Sequence, residues 1–102
     1  MVSAPDNLTR LAGPLLERRP HPQLPDWELV VLDVQEVEPV PGRADLLSRR
    51  LGERLEVAVP GAVLAGGSQD HLDVRARLTP RGVMAEPFRP DTGLPPGGML
   101  EP

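Results

Sequence analysis

The chain has 102 residues and a formal net charge of −4, with 15 acidic side chains against 11 basic ones, two aromatic residues and no cysteine. Every basic residue is an arginine. Length allows one domain. Without cysteine there is no disulfide, thiolate metal site or thiol nucleophile, without lysine no Schiff base, and the mild acidity counts against a nucleic-acid binder.

No stretch approaches 18 apolar residues, so no transmembrane helix is expected. Asp6, Arg10, Glu17 and three prolines in the first 20 residues break the apolar region of a signal peptide. The expected compartment is the cytoplasm, and an arginine-only chain rich in Ala, Gly and Pro suits a G+C-rich bacterial genome.

Of the 14 prolines, five fall in residues 1–26 and five in residues 87–102. Proline fixes φ and removes a backbone donor, so dense proline opposes both helices and sheet ladders. This predicts three parts: an N-terminal arm (1–26), a folded β domain (27–86) and a Pro/Gly-rich tail (87–102) expected to be disordered.

In the arm, Leu8, Leu11, Ala12, Leu15 and Leu16 fall at i, i+3, i+4, i+7 and i+8, the apolar face of an amphipathic helix. Asp6 or Asn7 would cap it, and Gly13-Pro14 would kink it. The domain opens with a strand over Trp27–Glu38. Val30, Leu32 and Val34 share a face, but Val37 is three positions on, which predicts a β-bulge near Gln35–Glu36. Ala44, Leu47 and Leu51 then predict a short helix ending at a left-handed Gly52, with Arg49 and Arg50 at its end.

Strict alternation predicts strands over Leu55–Val59 and Leu72–Leu78. Gly61–Ser68 lies between them. It has the spacing of a phosphate loop but a glycine where the lysine belongs, so a flexible loop is expected. Thr79-Pro80-Arg81-Gly82 is a turn leading to a last strand, Val83–Glu86. The expected fold is mainly β, a small antiparallel β-barrel or rolled sheet, OB-like or SH3-like, with one short helix. In the usual OB arrangement the helix sits between strands three and four, and the helix expected here comes earlier.

Three side-chain groups invite a functional reading. Asp33, Glu36 and Glu38 lie along one strand and could do acid/base work or face a basic partner. More simply, they charge a solvated strand edge. Asp70, His71 and Asp73 hold potential ligands, but zinc needs three or four, and the other histidine, His21, lies in the arm. Arg49, Arg50, Arg54, Arg75 and Arg77 could contact phosphates. Stacking rings are missing, and Arg75 and Arg77 are expected to pair with Glu56 or the first-strand acids. Trp27 is expected to plug the barrel where the arm enters it.

No nucleophile–base pair, metal set or cofactor fingerprint emerges, so neither cofactor nor metal is expected. A domain of about 60 residues buries only about 60% of its unfolded surface, which favours association. The chain therefore reads as a non-catalytic protein-binding module, a small accessory, adaptor or self-associating subunit. Its expected contacts are Leu8, Leu11, Leu15, Leu16, Trp27, Asp33, Glu36 and Glu38. A glutamate at Leu11 or Leu15 is then expected to break association and spare the fold. The alternatives are a nucleic-acid-binding barrel using the five arginines, and a small enzyme or ligand carrier built on the carboxylates.

Overall fold

The computed structural model describes residues 6–66 and 70–87. Its strands are β1 (Thr9–Pro20), β2 (Trp27–Asp33), β3 (Glu36–Pro39), β4 (Arg54–Pro60), β5 (His71–Thr79) and β6 (Gly82–Ala85). A 3-10 turn at Ser48–Arg50 precedes β4, and a short helix, α1 (Gly61–Ala65), follows it. The sheet runs β2-β4-β6-β5-β1 and closes where β1 pairs with β2, giving a five-stranded barrel. All ladders are antiparallel except β4–β6, which is parallel.

The expected N-terminal helix is not there: the same residues form β1, a barrel strand. Its first half pairs with β5 on one edge and β3 on the other, and its second half pairs with β2. Leu11 and Gly13 face the core, while Leu8 and Ala12 on the opposite face are also buried. The segment 43–47 lies beside Leu8, whose N–H donates to Ala44 O at 3.0 Å. Burial on both faces removes the alternation of a half-wet strand, and the remaining leucines fall by coincidence at helical spacing. The folded unit thus includes residues that the sequence assigns to an arm. Residues 88–102 of the expected tail lie outside the described residues.

Gly13-Pro14, expected to kink a helix, marks where the partner of β1 changes. β2 and β3 form one strand interrupted at Val34–Gln35, the bulge that the position of Val37 predicts. The register steps from Ala12↔Glu36 to Leu15↔Leu32 across it. Leu15 N–H points to β5, donating to Asp70 O at 2.9 Å, so the nitrogen of Pro14 faces the interrupted strand, where a donor is not required. At Gly13 that strand crosses so closely that a Cβ would collide with Asp33 O.

The other strands stand where alternation places them. Leu55, Val57 and Val59 of β4 and Leu72, Val74 and Ala76 of β5 point into one buried cluster. The β5–β6 hairpin turns at Pro80–Arg81, with Thr79 Oγ1 donating to Gly82 O at 2.8 Å and accepting from Arg81 N at 3.0 Å. Two further expectations are corrected. The helix over residues 44–51 shrinks to the 3-10 turn, although Gly52 does adopt φ +86° and donates its N–H to Val34 O. The expected loop after β4 begins as α1, which adds Val63 and Leu64 to the core.

Two polar anchors fix β1. Asn7, 3% exposed, continues the β5 ladder with its amide: Nδ2 donates to Leu78 O and Oδ1 accepts from Leu78 N. Thr9, fully buried, donates from Oγ1 to Asp45 Oδ1 at 2.7 Å, and Asp45 also accepts from Leu47 N and Ser48 N. The adjacent Ser48 hydroxyl contributes most to holding the Asp45 carboxyl below its usual range, followed among the stabilising groups by Thr9 and the two N–H groups. Ser48 Oγ is buried without an aligned hydrogen-bond partner, so the firm contact is the one from Thr9.

A carboxyl with a depressed folded value stabilises the fold above its unfolded pKa, about 3.9, and that share is lost as pH falls through the folded value. Asp45→Ala should cost about 1–3 kcal/mol near neutrality by orphaning Thr9. It should also flatten the loss of stability below about pH 4. Urea melts at neutral and acid pH check both, and equal midpoints for the two proteins at neutral pH would contradict the anchor.

Candidate binding cleft

The outer faces of β2, β4 and β6 form the floor of a surface cleft. On β2, Trp27, Leu29 and Val31 alternate with buried Val30 and Leu32. Leu29 lies across from Ala58 on β4, and Ala58 lies across from Met84 on β6. Leu29, Ala58 and Met84 are thus cross-strand neighbours outside the barrel, and together they line a solvent-open cleft. Its walls come from two connections: residues 21–26 between β1 and β2, and the Pro80–Arg81 turn.

His21 organises the first wall. Its Nδ1 accepts from Gln23 N and Leu24 N, both at 3.0 Å, and its backbone N–H donates to Trp27 O. Asp26 takes φ +67°, and its carbonyl accepts from Gly61 N at 2.7 Å, tying this loop to the start of α1. At the rim, Glu56 accepts from Arg19 Nη2 at 2.7 Å. Arg81 has no carboxylate partner among the described residues.

Most residues singled out in the sequence lie elsewhere. Leu8 and Leu11 are buried and Leu15 packs partly against the core, so only Leu16, 43% exposed at the β1 irregularity, is at the surface. A leucine docking face does not exist. Trp27 is half-buried on the outer face of β2, across from Pro60 rather than inside the barrel.

The carboxylates are spoken for or scattered. Arg10 bridges Glu38 and Asp73 across three strands, with Nε 2.8 Å from Asp73 Oδ1. Asp33 accepts from Gln35, while Glu36 and His71 are exposed. Among the described residues no group of three or more His, Asp or Glu could hold a metal ion. Arg77 pairs with Glu86 at 2.9 Å, not with Glu56, and Arg75 has no carboxylate partner among the described residues. Arg50 pairs with Glu53, and β6 separates Arg54 on β4 from Arg75 and Arg77 on β5, so the five arginines do not form one patch.

The cleft residues His21, Gln23, Leu24, Leu29, Ala58, Arg81 and Met84 escaped sequence reading. The available signal was Pro20–Pro25, a turn-rich stretch between two apolar runs. It reads as a loop between strands only once the preceding residues are seen as a strand. Among the described residues no helix is long and apolar enough to cross a membrane. No family model matches the chain, nor does any curated protein or solved structure.

Proposed function

We propose that the chain is a non-catalytic protein-binding module, an OB-like barrel serving as an accessory or adaptor subunit, and that its contact surface is the cleft. The observation carrying this reading is the position of the cleft relative to the strand order. With β2 and β3 counted as one strand, the barrel order is first, second, third, fifth, fourth, and back to the first. The third and fifth are parallel, and the helix follows the third. That matches the connectivity of the OB barrel, whose binding surface, used for oligonucleotides and oligosaccharides, lies on its second and third strands and on the loops after its first and fourth strands. The position of that surface carries over, not its occupant. In this chain those parts are the outer faces of β2 and β4, residues 21–26 and Pro80–Arg81.

A protein is favoured over a nucleic acid as the occupant. Among the described residues lining the cleft the one aromatic ring is the His21 imidazole, with no Phe, Tyr or Trp platform for base stacking. Arg19 is neutralised by Glu56, and the chain is net acidic.

Met84→Glu places a charge on the half-buried outer face and should leave the barrel folded. Affinity capture from cells that make the protein, with size-exclusion mass to detect self-association, should show a protein partner or a second copy held by the wild type and lost with Met84→Glu. Capture and mass both indifferent to Met84→Glu would overturn the reading. So would retention of a short single-stranded oligonucleotide at about 50 mM salt.

A further inference from the structure

We infer that the cleft takes a short peptide segment that seats an apolar side chain on Leu29, Ala58 and Met84 and presents a carboxylate to Arg81; this rests on the reading of the chain as a protein-binding barrel. The floor asks for an apolar group. Leu29 and Met84 are half-buried with nothing from the barrel covering them fully, and methionine adapts its shape to whatever it meets. A cleft floored by three side chains and walled by two short connections suits a few side chains rather than a folded surface.

The polar groups around that floor select for acceptors. The Glu56 carboxylate, the acidic group in the cleft lining, is held by Arg19. His21 uses its Nδ1 lone pair on Gln23 N and Leu24 N, so in the neutral ring the proton sits on Nε2, which donates. Arg81 stands on a turn that Thr79 fixes from both sides and has no carboxylate partner among the described residues. The cleft therefore offers one unneutralised cation and one imidazole donor beside apolar surface. A single carboxylate among apolar side chains complements that pattern. A strand of phosphates brings one charge per nucleotide and meets a chain of net charge −4, with Arg81 the one arginine among the described residues lining the cleft.

The test is an amide NMR titration of the full chain with three probes: a blocked Leu-Glu-Leu peptide, its Leu-Gln-Leu counterpart, and a short oligothymidylate. The Glu peptide should move the amides of Gln23, Leu24, Ala58 and Met84, and Arg81→Gln should weaken it roughly three- to fivefold. Equal binding of the Gln peptide, or of the Glu peptide to Arg81→Gln, would overturn the carboxylate assignment. Silence from both peptides, while partner capture stays sensitive to Met84→Glu, would overturn this inference and leave the protein-binding reading standing. Oligothymidylate moving the same amides while the peptides do not would overturn both.

Discussion

Leu11→Glu should abolish folding. Leu11 is fully buried, on the core-facing side of β1, and belongs to the same buried cluster as Val30, Leu32, Val57 and Val74. The substitution removes that packing and puts a carboxyl where no arginine or lysine faces it. An unpaired buried charge costs several kcal/mol even after the group shifts its protonation to avoid ionising. With the lost packing, the total should exceed about 5 kcal/mol, comparable to the whole stability of a chain this size, about 5–10 kcal/mol. The far-ultraviolet dichroism at 25 °C should be that of an unfolded chain. The matched control is Leu16→Glu, on an exposed side chain where β1 bulges, which should change stability by no more than about 0.5 kcal/mol. A cooperative thermal melt from Leu11→Glu would contradict the placement of β1. The outcome also separates two readings of the same residues. A docking helix would lose its partner and keep its fold, whereas a barrel strand loses the fold itself.

Gly13→Ala should have the second largest effect, from one added methyl group. A Cβ at Gly13 would collide with Asp33 O, with Gln35 N close behind. Both obstacles are backbone of the strand that crosses β1, and its position is held by Gln35 N donating to Ala12 O and Val34 N donating to Glu53 O, each at 2.9 Å. No flexible side chain can move aside, so the strands must separate where the barrel closes. The expected cost is about 3 kcal/mol or more, a fall in melting temperature of at least about 12 °C for a domain of this size. Gly52→Ala tests the reason. Gly52 has φ +86° with open space around its missing side chain, so backbone strain alone should cost about 1–2 kcal/mol. Equal melting shifts for the two variants would show that the close approach at Gly13 does not matter.

How far the chain could be read without its structure depended on how many faces of each strand meet water. β4 and β5 expose Glu56, Arg75 and Arg77 on one side and bury valine and leucine on the other, so alternation reveals both. The Thr79–Gly82 turn and β6 follow from local turn chemistry. Val37, one position out of step, reveals the interruption between β2 and β3. β1 lacks such contrast because Leu8, just before it, and Ala12 are buried on one face and Thr9 and Leu11 on the other, with only Arg10 partly exposed among them. α1 lacks it too, being five residues without a polar start signal. Reading residues 44–51 as a helix and α1 as a loop put the apparent helix on the wrong side of the third barrel strand.

The same limit governed the cleft. Leu29, Ala58 and Met84 sit far apart in the chain and are individually bland, and Arg81 looks like any turn residue. They meet because β4 pairs with both β2 and β6 in one register. Ion-pair partners behaved likewise: arginines and carboxylates on the strands were visible, but register alone sent Glu56 to Arg19 and Glu86 to Arg77.

The sequence by itself determined a small, mainly β chain with its turns, its bulge and its half-wet strands, because period-two patterning and turn chemistry are local. It also excluded thiol and lysine chemistry by composition. Only the tertiary structure decided that residues 9–20 are a barrel strand, that the barrel closes through β1 and β2, and that a cleft forms outside it. Those features depend on which strands become neighbours and on burial from both sides, and such non-local contacts leave no period in the chain.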